Sequence, residues 1–327
     1  LLIITFNKGV INMNNLKKVG LTALAGALVS VSANAADLAV TGGASISFAG
    51  EEQTNKGNGW SMNDSVTFSA SGEMDNGWNI TVKQIIDSSD GAGSAIMDTR
   101  ILTIDMGDSG TLTFAGDGGS SVLDAVDDVT PNAGEEAWAD VTGASAAPGG
   151  VAGNNMFLYE NSSLMDGVTI SAAYQPSNGT VDVESSSDFG IKYTGIDGLT
   201  VGAATGEDNS SATAGVETET MYVTYAMDAF TVGVQTSKDD SETANSDIDF
   251  QAIGVSYAVS EDVSVSLNSS THEYESASLT DQEATGISVS YTMGSMTLKA
   301  NHNSIDNLAG DSAKDRSGYA MSLGFTF

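Results

Sequence analysis

From residue 38 to the C-terminus the chain alternates apolar and polar positions in short segments, with runs such as Met221-Val223-Tyr225 and Phe230-Val232-Val234 spaced by Thr, Gly and Ala. A two-residue period places successive side chains on opposite faces of a strand, so the pattern predicts an all-β chain. Compact turn signals punctuate it at Asp75-Asn76-Gly77, Gly107-Asp108-Ser109-Gly110, Asp166-Gly167, Ile196-Asp197-Gly198, Asp228-Ala229, Ser260-Glu261-Asp262 and Gly294-Ser295. Apart from one gap they recur every 31 to 33 residues, so the repeating unit is a β-hairpin plus a connection. Between hairpins lie eight polar stretches, 51–62, 88–96, 117–154, 176–186, 207–216, 238–246, 273–282 and 304–315. Seven turns and eight loops join sixteen strands, the first near 38–48 and the last over 316–327.

The ends of the chain carry patterns of their own. After Met13 come Lys17 and Lys18, an apolar run from Val19 to Val31, and the small-residue site Ala33-Asn34-Ala35. That order predicts a secretory signal peptide over 13–35, with 1–12 as an upstream extension outside the fold and 36–327 as the mature domain. A run of 13 apolar residues, at about 1.5 Å per residue, is too short to cross a bilayer core of about 30 Å as a helix. In the last strand Tyr319, Met321, Leu323, Phe325 and Phe327 occupy every second position, separated by Ala320, Ser322, Gly324 and Thr326. One face is greasy to the final residue, and this resembles the terminal signal by which barrel-assembly machinery recognises outer-membrane substrates.

A strand with one lipid-compatible face and one polar face suits a closed barrel, because closure leaves no sheet edge for lipid to desolvate. Short turns at one end, long loops at the other and aromatic residues near strand ends (Trp78, Tyr174, Tyr193, Tyr225, Tyr257, Tyr291) fit a transmembrane barrel. The 37 glycines and 3 prolines agree with many tight turns in a hydrogen-bonded sheet. A formal charge of −32 excludes a nucleic-acid partner, whose phosphates need a basic footprint. Removing 1–35 takes away Lys8, Lys17 and Lys18 and no acid, leaving 8 bases against 43 acids, a net of −35. Without cysteine there is no thiol chemistry, and His272 and His302 lie in no metal-ligand or nucleophile motif, so no enzyme is expected.

The one irregular spacing, between the turns at 107 and 166, holds the third and longest loop, 117–154. Around it the chain resembles the general diffusion porins of Gram-negative bacteria. The likeness is carried by Thr99-Arg100, by Gly107-Asp108-Ser109-Gly110-Thr111-Leu112-Thr113-Phe114, by Gly116-Asp117-Gly118-Gly119 leading to Leu123-Asp124-Ala125-Val126-Asp127-Asp128, and by Tyr159-Glu160-Asn161-Ser162 with Leu164-Met165-Asp166-Gly167-Val168. The resemblance implies a 16-stranded antiparallel transmembrane barrel whose third loop folds inward and sets carboxylates against basic wall residues. Asp117, Asp124, Asp127, Asp128, Glu135 and Glu136 are then the acidic constriction candidates. Arg100 matches the family's basic wall position. Lys83 alternates with Asn79 and Thr81 and is a second candidate, while Glu160 stands where many relatives carry Arg, so the basic cluster looks depleted.

These features lead to an expected water-filled, cation-selective channel for passive diffusion of ions and small hydrophilic solutes, in the cell outer membrane. The alternatives are a substrate-selective channel, or a structural or adhesive barrel without an open pore. The resemblance also implies a homotrimer in contact with lipid and lipopolysaccharide. No cofactor is expected, beyond Ca²⁺ or Mg²⁺ held loosely by acid pairs such as Asp127-Asp128 or Asp239-Asp240.

Overall fold

The structure is a computed structural model describing residues 37–52, 59–87, 97–179, 183–210 and 215–327. The expected extension and signal peptide, the loop 88–96 and parts of the loops at 51–62, 176–186 and 207–216 lie outside the described residues. The strands are β1 (Asp37–Glu51), β2 (Gly59–Glu73), β3 (Asn79–Asp87), β4 (Met97–Asp105), β5 (Thr111–Asp117), β6 (Gly119–Ser120), β7 (Ala152–Gly153), β8 (Met156–Met165) and β9 (Val168–Gln175). They continue as β10 (Ser186–Ile196), β11 (Leu199–Asp208), β12 (Val216–Met227), β13 (Phe230–Ser241), β14 (Ile248–Ala258), β15 (Val263–Tyr274), β16 (Gln282–Met293), β17 (Met296–Asp306) and β18 (Arg316–Thr326).

Among the described residues, sixteen strands close into one antiparallel barrel, and β6 and β7 form a separate two-stranded ladder inside the third loop. The seven expected turns join the strands at one end. The long loops are shorter than their polarity suggests: β13 runs on through Lys238, Asp239 and Asp240 to Ser241, and β17 to Asp306. Both faces of a strand are polar once it rises above lipid, so polarity marks the height of the rim and not the end of the ladder.

Register separates the two faces. Leu38, Ala70, Val82, Leu102, Phe114, Phe157 and Tyr174 form one cross-strand row on the outside. The row Thr220, Ser237, Phe250, His272 and Gln282 faces inward. Closure is made by β1 against β18, and Phe327 adds two backbone hydrogen bonds to Gly42, of 2.7 and 2.9 Å. A Cβ on Gly42 would stand 2.7 Å from the Phe327 ring, so the terminal aromatic side chain uses the glycine as its seat. The alternating apolar residues of the last strand face outward, with Met321, Phe325 and Phe327 exposed.

Among the described residues the buried apolar side chains form no central core but two dry clusters between the third loop and the wall: Val122 and Leu123 against Ala173 and Ala204, and Ala137 and Val141 against Ala284, Ile305 and Leu308. Burying a Val, Leu or Ile side chain there contributes about 1.5–3 kcal/mol to holding the loop inside, and each Ala about 0.8 kcal/mol.

Candidate pore constriction

The third loop leaves β5 at a bulge and is pinched at its neck by the β6–β7 ladder. Backbone polar groups carried into a barrel need partners, and the inward polar side chains of the wall supply them. The buried Asp188 carboxylate accepts from the amides of Val122 (3.2 Å) and Leu123 (3.1 Å), and Ser121 Oγ accepts from Asp124 N at 3.2 Å to start a 3-10 turn over Asp124–Val126. Gln235 donates to the carbonyls of Val126 (3.2 Å) and Asp127 (2.8 Å) and accepts from Val129 N (3.2 Å). Asn268 donates to Pro131 O at 2.8 Å, and Asn303 to the carbonyls of Glu136 (2.9 Å) and Ala139 (2.7 Å).

The far limb is tied just as closely. Asn301 donates to the Asp140 carboxylate at 2.8 Å, Arg316 to Thr142 O at 3.1 Å, and the amide and hydroxyl of Thr142 both donate to Glu51. His272 sits 2.7 Å from Ala146 O through Nε2, which must therefore carry the proton, leaving Nδ1 to accept from Gln282 at 3.4 Å. The loop thus follows the wall from β10 to β18 and on to β1.

Glycines of the wall let it come this close. A Cβ on Gly190 would run into the Val122 side chain, one on Gly233 into Pro131, and one on Gly318 into Asp140 O. On Gly254 it would stand 2.6 Å from Pro131 O, and on Gly286 3.0 Å from Ala137 Cα. Five strands therefore present hydrogen where the loop passes, and their spacing sets how far the loop projects into the lumen.

The expected acids separate into groups. Asp124, Asp127, Asp128 and Glu136 lie within electrostatic reach of one another on the projecting segment. Burial, followed by the charges of Asp128, Asp124 and Glu136, pushes Asp127 up to about 7. Burial also raises Asp128, opposed by its hydrogen bond with Asp127, and raises Glu136, opposed by a 2.7 Å hydrogen bond from Asn132. Glu135 stands 3.7 Å from Lys299 of β17. Asp117 is not in the cluster: it belongs to β5 and pairs with Arg100 at 3.1 Å.

The basic wall also differs from expectation. Arg100 lies two residues from the outward Leu102 and opposite Gln84, and a bulge at Gly116 turns Asp117 to the same side. That parity places Arg100 on the outer face at the loop end of β4, not on the pore wall. Lys83 pairs with Ser69 and Ile101 on the inward face, and Glu160 pairs with Thr111 and Ser171, also inward. Lys192, which the sequence analysis did not single out, is inward as well, between the outward Ile191 and Tyr193. Its parity was the available signal. Lys299 and Arg316 reach the lumen but are engaged by Glu135 and Glu51. Among the described residues, four cations face inward, two of them already paired.

Asp239 and Asp240 point to opposite faces, one accepting from Thr218 at 2.6 Å and the other from Lys238 at 3.2 Å, so they cannot share one ion. Among the described residues no group of three or more His, Asp or Glu is arranged to hold a metal.

A family model described as Gram-negative porin matches residues 20–307. The chain belongs to the Gram-negative porin family. Solved structures agree on the fold. The anion-selective porin from Comamonas acidovorans aligns over 89% of this porin and 100% of that chain, at 12% identity and a TM-score of 0.71. Salmonella typhi OmpF in complex with daunomycin covers 89% and 97% at 12% identity and 0.68, and outer-membrane expressed OmpT of Vibrio cholerae covers 91% and 99% at 14% and 0.66. No curated protein sequence matches the chain. The porin is a channel protein of the outer membrane.

Proposed function

We propose that this porin is a water-filled, cation-selective channel through which ions and small hydrophilic solutes diffuse passively. The observation that carries the reading is the imbalance at the narrowing: Asp124, Asp127, Asp128 and Glu136 gather on the loop, while Lys83 and Lys192 are the inward cations left without an ion pair among the described residues. A pair of unit charges interacts by ~332/(εr) kcal/mol, so a few uncompensated carboxylates in a partly desolvated throat enrich cations several-fold. The Comamonas protein is anion-selective by its description, but at 12% identity the likeness carries fold and not charge. Reconstitution into planar bilayers tests the reading: stepwise, ohmic conductance in KCl supports it, and membranes that stay silent contradict it.

Self-association into a homotrimer is the second part of the proposal. On β12 the outward residues from the turn are Met227, Tyr225, Val223 and Met221, and then Glu219 and Glu217. On β1 and β2 the outward apolar residues continue to the loop end through Ile46, Phe48, Met62 and Trp60, interrupted by Asp64. An apolar face that rises above the acidic rim of its neighbours needs a protein cover, and OmpT of Vibrio cholerae is described in a trimer form. Lipid and lipopolysaccharide would meet the remaining outer wall, and the barrel-assembly machinery the β18 face. Unheated detergent samples should migrate as trimers and heated ones as monomers; monomer migration in both would count against the assembly.

A further inference from the structure

Beside the constriction, on the side of the short turns, the first limb of the third loop stands off the wall and leaves a cleft of about 150 Å³. Val122 and Val126 of the loop and Leu158 and Tyr222 of the wall line it, and its charged residues are Glu160 of β8 and Lys192 of β10. Both charges face the lumen. Among the described residues neither has an ion-pair partner; Glu160 only accepts from Ser171 at 3.5 Å. Glu160, Ser171 and Gly190 share one cross-strand row, and Lys192 lies two residues nearer the turn. By strand spacing and rise, the Glu160 and Lys192 Cα atoms stand roughly 12 Å apart.

Two side chains of opposite sign, fixed on strands and flanking an apolar patch, match a solute that carries both charges on a short frame. A cavity near 150 Å³ is about the size that accepts a benzene-sized molecule. We propose that this cleft is a weak binding site for small zwitterions of the α-amino-acid kind, with the ammonium on Glu160, the carboxylate on Lys192 and the alkyl group against Val122, Val126 and Leu158. Neutral solutes gain neither contact. A singly charged solute gains one and leaves the other charge unmatched. Charged hydrogen bonds made in a narrow, partly apolar cleft are worth more than those in open water, so the site would concentrate such solutes at the throat. The proposal rests on the reading of the protein as an open channel, because the cleft must be reached through the lumen.

Saturation-transfer NMR on the detergent-solubilised protein, with alanine, propionate, ethylamine and propionamide at equal concentration, tests it without needing current. Alanine is expected to receive the strongest transfer, and Glu160→Gln or Lys192→Met each to weaken its binding roughly tenfold, the effect of losing one charge-assisted hydrogen bond. The double exchange Glu160→Lys with Lys192→Glu should restore a large part of it, which a merely structural role for either residue would not do. Equal transfer to alanine and propionamide, or alanine binding unchanged in both single variants, would overturn the site. The KCl conductance of the same preparations, measured with no solute, reports the channel reading separately.

Discussion

The wall of this porin consists of two regions that look alike in sequence and do different work. From β10 to β18 the third loop engages many of the inward side chains: Asp188, Gln235, Asn268, Asn301, Asn303 and Arg316 each satisfy loop polar groups, and five glycines make room for its backbone. From β2 to β5 the inward residues Ser65, Thr67, Ser69, Thr81, Lys83, Thr103 and Thr113 face open lumen, with neighbours such as Thr103 and Thr113 meeting only each other, at 3.4 Å. Small polar residues thus serve as docking groups in one half and as a wetted surface in the other. What divides them is the glycine spacing and the longer Asn and Gln side chains of the docking half.

Crowding the seat should give the largest break in this comparison. Gly254→Leu places a side chain where Pro131 O stands 2.6 Å from a mere Cβ, and overpacking of this kind costs about 1–3 kcal/mol, enough to lift the loop into the lumen. Single-channel conductance is expected to fall by roughly half, with added noise, whereas Gly72→Leu, which meets nothing within 4 Å, should leave it unchanged. Equal effects of the two would show that the loop is not seated by this wall.

Acidity should act next. Asp127 is raised to about 7, so on acidification through that value the throat loses one negative charge; burial raises Asp128 and Glu136 as well. The sign for the loop is opposite to that for selectivity. A carboxyl whose folded pKa lies above its unfolded value destabilises the seated loop as pH rises from the ordinary carboxylate range through 7, because the buried ion is then uncompensated. Cation preference should therefore drop between pH 8 and pH 6 while the loop holds more firmly. Asp127→Asn should flatten the upper part of that pH curve.

Weaker effects come from single tethers and from the bare half. Asn303→Ala removes both hydrogen bonds to the Glu136 and Ala139 carbonyls and, at about 1–3 kcal/mol, should raise amide exchange over 135–142 without changing the heat stability of the barrel. Thr103→Val, in the open half, is expected to change conductance within experimental error; a change as large as that of Gly254→Leu would erase the distinction between the halves.

Much of this was legible in the sequence, and what was not has physical causes. The turns were readable because Asp-Gly and Asn-Gly pairs carry their own backbone requirement, as at Gly77, Gly167 and Gly198, all with positive φ. Barrel closure was readable in β18 because lipid tolerates no lapse in its outward face. Loop limits were not, since Lys238 and Asp240 belong to a strand that stands above the lipid. Arg100 was set on the wrong face because family likeness replaced parity with Leu102, and the bulge at Gly116 leaves no mark in the sequence. The docking glycines were invisible for another reason: a strand glycine beneath a loop reads the same as one that eases a bend.

The proposed preference for cations rests on a seated loop whose clustered carboxylates outnumber the inward cations left without an ion pair among the described residues, Lys83 and Lys192. The reversal potential of the purified porin in a KCl gradient at pH 8 measures it most directly. A potential of the sign for potassium permeation, reduced several-fold when Asp127→Asn, Asp128→Asn and Glu136→Gln are combined, is the predicted result. A chloride-preferring potential in the unaltered protein would contradict it.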